Sequence, residues 1–319
     1  MMAGTMALFQ RHPDNPLLTV QALPYAANAV FNPGVAEVDG ETLLLMRVEA
    51  LCGRSHLTCA RSRDGIGDWR VDSAPVLAPG SKKYPEEAWG VEDPRITFIE
   101  DLAEWVIAYT AYSECGPLVS LATTRDFLSF RRLGPALPPE NKDAALFPRR
   151  IGDRYCMLHR PAPAMPGVSA HIWISYSPDL RSWGGHRLLL PARVPGFWDS
   201  AKIGIATPPL ATSEGWVILY HGVRRMGAAY IYRLGLALLD LDDPSHVIRR
   251  LDNWVFGPEA HCERIGDTPN VVFPCGWLLD GDEIRLYYGA ADTCIALATA
   301  SLDKLLACLL DHPCKGGIR

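Results

Sequence analysis

Five times along this 319-residue chain a proline leads into the pattern of a β-hairpin, and that recurrence constrains the fold more than any other feature. The copies are NPGVAEVDGETLLLMRV, DPRITFIEDLAEWVIAYTA, FPRRIGDRYCMLHRP, TPPLATSEGWVILYHGV and FPCGWLLDGDEIRLYYGA. They align on Pro33, Pro94, Pro148, Pro208 and Pro274, at intervals of 61, 54, 60 and 66 residues. Each runs as a short apolar stretch, a polar turn and a second stretch rich in aromatic and branched residues, which predicts a hairpin. A third stretch follows, such as LTCARSRDG or VSLATTRDF, and Trp69, Phe130 and Trp183 mark entry to a fourth strand in three copies. Two stacked sandwiches would not return the same order five times. The pattern therefore predicts an all-β, five-bladed β-propeller forming a single domain over residues 1–319, with blades starting near residues 28, 90, 144, 204 and 270. SLDKLLACLLDH reads as a short C-terminal helix with Ser301 as its N-cap.

With 48% hydrophobic and 21% charged residues, a chain of this length buries a large core. Its net charge is −5 and its basic residues are scattered, which excludes a nucleic-acid partner. MMAGTMALFQRHPDNP lacks a basic n-region and a long apolar core, so no signal peptide is expected. No apolar run approaches the roughly 18 to 20 residues of a spanning helix, so we expect a soluble, cytoplasmic protein without membrane contact. Nine cysteines (Cys52, Cys59, Cys115, Cys156, Cys262, Cys275, Cys294, Cys308 and Cys314) form no Cys-x-x-Cys pair and read as reduced thiols. His and acidic residues do not recur at ligand spacing, so neither a metal nor a cofactor is expected.

In a blade, strand 1 leaves one rim, strand 2 returns to it and strand 3 leaves again. One rim thus collects the residues before the prolines (Asn32, Asp93, Phe147, Thr207, Phe273) and the ends of the second strands (Arg47, Tyr109, His159 with Arg160, His221, Tyr288). Loops and connections add Arg54, His56, Lys142, Asp143, Asp199, Lys202, Tyr232, Glu259, Glu263 and Asp292. Asp93, within EEAWGVEDPR, would face a narrow, partly dehydrated pocket there. The competing local reading is a turn in which Asp93 and Arg95 pair with each other or cap backbone.

At these residues the sequence resembles glycoside hydrolase family 130, the β-mannoside phosphorylases and related enzymes, from about residue 28 to residue 311. The stretches that carry the resemblance include WGVEDPRI, KDAALFPRR, LHRP, YHGV, YRLGLALLDLDDP and YYGAADTCIALATA. KDAALFPRR and HRP are similar to the branch acting on mannobiose and manno-oligosaccharides. The resemblance implies a five-bladed propeller and an inverting phosphorolysis, in which inorganic phosphate, a co-substrate, attacks a terminal β-mannoside to give α-mannose 1-phosphate. It also implies that Asp93 is the general acid, its proton travelling through the sugar 3-hydroxyl. Mannose is expected to meet Asn32, Arg47, Asp93, Tyr109 and Asp292, and phosphate His159, Arg160, Lys202, His221 and Tyr232. Such chemistry needs one acid and a set of cations, whereas an inverting hydrolase also needs a base. The alternatives are a hydrolase using Glu259 or Glu263 to activate water, or a non-catalytic glycan-binding propeller. A homo-oligomer is compatible with this reading, which sets no oligomeric state.

Overall fold

A computed structural model describes residues 8–80, 82–163, 165 and 167–311. The first seven residues, Cys314 and the last residue of the expected helical stretch, His312, lie outside them. The regular secondary structure of the described chain is almost entirely strand. Gln10–Arg11 (β1) comes first. A first unit then holds Ala29–Val38 (β2), Glu41–Glu49 (β3), Ser55–Ser62 (β4) and Arg70–Val71 (β5). The second holds Gly90–Ile99 (β6), Glu104–Ser113 (β7), Gly116–Thr124 (β8) and Arg131–Leu137 (β9). The third holds Asn141–Leu146 (β10), Tyr155–Pro161 (β11), Ile172–Ser177 (β12) and Gly184–Leu190 (β13). The fourth holds Lys202–Ile205 (β14), Leu210–Thr212 (β15), Gly215–Met226 (β16), Ala229–Leu239 (β17) and Val247–Arg250 (β18). Val272–Asp280 (β19), Glu283–Ala290 (β20) and Cys294–Ser301 (β21) make the fifth.

Within each unit the strands pair antiparallel as a meander, through tight turns such as Asp39-Gly40 and Asp280–Asp282, where Asp39, Gly40 and Gly281 take positive φ. The hydrogen bonding resolves four sheets, of 4, 4, 5 and 8 strands. They number four because a parallel bridge from Ser55 to Gly90 joins the first two units. β14 and β15 both lie against β16; the proline pair Pro208-Pro209 interrupts what would otherwise be one strand, since neither residue can donate to the ladder.

Successive side chains on a strand face opposite ways, and the core follows from that alternation. Leu43 and Leu45 pack with Ile107 and Tyr109 of the second unit, whereas Leu44 and Met46 pack with Tyr287 and Leu297 of the fifth. Equivalent clusters lie between units two and three, three and four, and four and five. Each sheet is therefore apolar on both faces, at roughly 1.5–3 kcal/mol for each large side chain buried. His261–Arg264 (α1) is a single turn. Leu302–Asp311 (α2) begins where Ser301 Oγ accepts the Lys304 amide at 3.2 Å, and it buries Leu305 and Leu309 against the last cluster. None of the described helices is long and apolar enough to cross a membrane.

The two ends of the chain meet in the fifth unit, where β1 pairs with β21. Arg11 on β1 reaches Glu263 of α1 at 2.8 and 2.9 Å and stacks on Phe256 at 4.4 Å. Glu263 is fully buried and also accepts the Tyr288 hydroxyl at 2.7 Å and the amides of Glu259 and Ala260. Despite burial, these partners hold its carboxyl below the ordinary range. Removing Arg11 leaves a buried carboxylate without its cation. Arg11→Ala is expected to lower the unfolding free energy at pH 7 by about 3 kcal/mol in urea denaturation. The deficit should shrink as pH falls towards 5, because burial then raises the Glu263 carboxyl of the variant above its unfolded value and it takes up a proton; a pH-independent deficit would rule out this ion pair as the clasp.

Candidate active site

In the first three units the opening strand breaks its ladder at one place. The register shifts between Phe31 and Gly34, between Glu92 and Arg95, and between Lys142 and Ala145. Asn32, Asp93 and Asp143 sit in these bulges with φ of 44°, 51° and 51°. The left-handed conformation is one that Asn and Asp tolerate better than other side-chain-bearing residues, and a bulge turns a side chain out of the pleat. Pro33 and Pro94 follow two of them, so no backbone donor is wasted where pairing fails. Asp292, in the turn before β21, has φ of 52°.

The bulges bring Asn32 and Asp93 together. Asp93 Oδ1 accepts from Asn32 Nδ2 and from Arg47 Nη1, both at 2.9 Å. Arg47 also donates to Ser55 Oγ at 2.9 Å, lies 3.3 Å from Glu92 and stacks over Phe31 at 4.6 Å. Lys142 reaches Glu92 from the third unit at 3.3 Å. Burial would raise the Asp93 carboxyl, but Arg47, Lys142 and the Asn32 amide outweigh it and hold it below the ordinary range. Asp292 goes the other way: burial first, then the charge on Asp93, push it up to about 6 against the pull of Thr268 and Arg47. Two acids of unlike proton affinity therefore interact within one cluster.

A second cluster adjoins the first. Asp143 Oδ2 accepts from Arg160 at 2.7 Å and lies 3.4 Å from His221 Nε2, while Oδ1 is 3.6 Å from Arg95. The guanidinium groups of Arg160 and Arg95 hold Asp143 ionised in spite of its burial. Gly204 on β14 allows the approach, since a Cβ there would collide with both the Asp143 carboxylate and the His221 ring. His221 is lowered to about 3 by burial and by Arg160, Arg95 and Lys202, so it is neutral at pH 7, and its buried Nδ1 has no protein partner. Lys202 sits over the Tyr232 ring at 5.2 Å with no carboxylate in ion-pair range among the described residues, and burial with Arg160 lowers it to about 8. Burial and the Asp292 charge raise the Tyr232 hydroxyl, while Arg160 and Lys142 pull it down.

Of the expected site residues, Asn32, Arg47, Asp93, Asp292, Arg160, Lys202, His221 and Tyr232 thus converge. Tyr109 and His159 do not. Tyr109 points into the core between units one and two, where its hydroxyl donates to Glu87 at 2.6 Å. His159 sits between Asn141 and Ser175 at 3.1 and 2.6 Å, because its neighbour Arg160 takes the opposite face of β11. Tyr288 likewise spends its hydroxyl on Glu263. Trp198 is buried, stacked on Tyr220 with its ring nitrogen on the Asp252 carbonyl at 2.9 Å. Glu263 is locked under Arg11 and Glu259 is surface-exposed beside it, so neither stands opposite Asp93 as a base. Three members went unassigned: Glu92, Arg95 and Asp143. Asp143 was placed on the rim but given no role, because aligning the third repeat on Pro148, which follows β10 instead of standing in it, concealed that KDAALF matches EDPRIT and that Asp143 stands where Asp93 does.

Comparison with known proteins agrees with this geometry. A sequence model of glycoside hydrolase family 130, described as beta-1,4-mannooligosaccharide phosphorylase, matches residues 11–310. The chain is 35% identical to a beta-1,4-mannooligosaccharide phosphorylase of Ruminococcus albus, over 95% of this chain and 91% of that one. It is 38% identical to a 1,2-beta-oligomannan phosphorylase of Thermoanaerobacter, over 94% and 99%. The solved beta-1,2-mannobiose phosphorylase of Listeria innocua, in complex with beta-1,2-mannobiose, superposes with a TM-score of 0.86 at 33% identity, covering 95% of this chain and 99% of that one. Family, relatives and fold point the same way: this chain belongs to glycoside hydrolase family 130.

Proposed function

We propose that this protein is a β-mannoside phosphorylase, transferring a terminal β-mannosyl unit of mannobiose or a manno-oligosaccharide to inorganic phosphate with inversion. The observation that carries it is the gathering of cations, Arg160, Lys202 and Lys142, around Asp93, which suits an anionic nucleophile that needs no base to activate it. Asn32, Arg47, Asp93 and Asp292 bind the donor mannose through adjacent hydroxyls. Arg160, Lys202, His221 and Tyr232, with Lys142 beside them, hold phosphate against the anomeric carbon.

Proton accounting fits a single acid. Hydrogen phosphate brings one proton, the departing acceptor oxygen takes one, and α-mannose 1-phosphate leaves as the dianion; Asp93 passes the proton from the first to the second. Arg47 and Lys142 keep Asp93 ionised in the free chain, and a docked phosphate dianion offsets those cations and raises its proton affinity at the moment the proton is needed. Asp143 fixes the Arg160 guanidinium so that its remaining donors face the phosphate.

We infer also that the five units close into a five-bladed ring with this site on its axis. The opening strands β2, β6, β10 and β14 touch in succession, β19 returns to β2, and apolar clusters link every unit to the next, the fifth to the first included. The free thiols of the eight described cysteines suit a reducing, cytoplasmic setting.

Turnover of mannobiose is expected to require added phosphate and to release mannose 1-phosphate; equal turnover without phosphate, with free mannose as product, would establish the hydrolase instead. Asp93→Asn keeps the shape of the carboxyl but has no proton to give, so kcat should fall by about 10²-fold or more while the melting temperature holds. Retained activity would move the acid elsewhere, Asp292 first. Lys202 is charged below about pH 8 and neutral above it, so the apparent KM for phosphate should climb as pH passes about 8, with little change for the mannoside. Lys202→Arg should move that rise to higher pH, and a climb at the same pH in both proteins would remove Lys202 from the phosphate site.

A further inference from the structure

A second cavity lies away from the central cluster, at the outer edge of the fourth unit. The loop leading to β14, the rim end of β16 and the segment after β18 enclose about 360 Å³ there, within the size range of small-molecule sites. Phe197 and Trp254 line it with 42% and 39% of their surface exposed, and Asn253 lines it beside them. Trp198 forms its floor, its ring packed on the backbone of Gly222 and Gly235.

The charges around this cavity do not balance locally. Arg193 is committed, to Asp199 and Asp252 at 3.3 Å each and to the carbonyls of Leu251 and Asp252. Arg224 has no ion pair or hydrogen bond with any described residue. Arg233 stacks on Trp254 at 4.4 Å and also lacks a carboxylate among the described residues. Gly222 faces Arg233 and Arg224 faces Ile231 across the β16–β17 ladder, so the two arginines are diagonal neighbours on one face. Burial, then the charge on Arg224, lower the proton affinity of Arg233, the mark of two like charges held together. Alternation along β16 turns Arg224 to the face opposite His221, which separates this cavity from the central cluster.

We propose that this cavity is a second binding site, for an anionic monosaccharide of the hexose phosphate class. The flat faces of Trp254 and Phe197 suit the apolar face of a pyranose, and the Asn253 amide suits its hydroxyls. Arg224 offers the planar two-pronged donor that a phosphate group takes up, and an anion there relieves the repulsion with Arg233. A neutral sugar would leave that repulsion in place. The site stands whether or not the central cluster performs phosphorolysis.

Calorimetric titration of the full-length protein with mannose 6-phosphate tests it, with mannose and inorganic phosphate as comparison ligands. Binding is expected in the wild type and should weaken roughly ten- to hundredfold in Arg224→Gln and in Trp254→Ala. Lys202→Gln should leave it intact, and the two cavity variants should keep the wild-type melting temperature and turnover of mannobiose. Undiminished binding in both cavity variants, loss of binding in Lys202→Gln, or no binding in the wild type would each overturn the site. In the part of binding that Arg224→Gln and Trp254→Ala abolish, mannose held as tightly as mannose 6-phosphate would overturn the anionic character of the site, and inorganic phosphate so held would overturn the role of the sugar ring.

Discussion

The centre of this protein is organised around one buried guanidinium. Arg95, 1% exposed, donates to the carbonyls of Ile205 and Ala206 in the fourth unit at 2.9 and 2.8 Å and to that of Asp93 in its own. It lies 3.6 Å from Asp143 of the third unit and over Phe273 of the fifth at 5.8 Å. A charge so deeply buried is tolerable only with each donor directed at an acceptor. Those acceptors come from separate units, so the requirement aligns the units with one another. The run EDPR thus divides its labour: Asp93 offers its carboxylate to Asn32 and Arg47, Pro94 leaves the bulge without an idle amide, and Arg95 ties its own unit to the fourth. Arg95 engages the backbone of Asp93 instead of its carboxylate, which remains available to Asn32 and Arg47.

Around that anchor the polar residues are held in conformations that cost energy by themselves. Asn32, Asp93, Asp143 and Asp292 all take positive φ, and such strain persists only where the surroundings over-determine it. Here the surroundings are close backbone contacts, at Gly204 under Asp143 and at Gly289 under Asn32, together with the paired charges. The result is a cluster in which neighbouring groups differ in proton affinity: Asp93 ionised, Asp292 near 6, His221 neutral and Lys202 near 8. Burial sets the direction of most of these shifts, and the nearest opposite charge decides whether it prevails.

The hairpins were legible because their signals are local. Alternation of period two, acidic and glycine turns, and the Ser301 cap of the last helix each depend on a few adjacent residues. Most of the site was legible too, since ends of second strands and residues before prolines must share a rim whenever meanders repeat. Tyr109 and His159 escaped this reasoning because a rim position does not say which face of the strand a side chain takes. His159 and Arg160 are adjacent, and alternation sends one to the site and the other between Asn141 and Ser175.

From residues alone, then, followed the all-β character, the fivefold order of strands and the family resemblance, because these rest on local pattern and on residue identity. Tertiary structure decided the rest: the bulges that set Asn32, Asp93 and Asp143 out of the pleat, the place of Asp143 beneath Arg160 and His221, and the reach of Arg95 across units. A bulge changes register by the balance of pairing over a whole sheet, and a buried charge finds its partners only when segments more than a hundred residues apart come together. Neither is encoded in any short stretch of the chain.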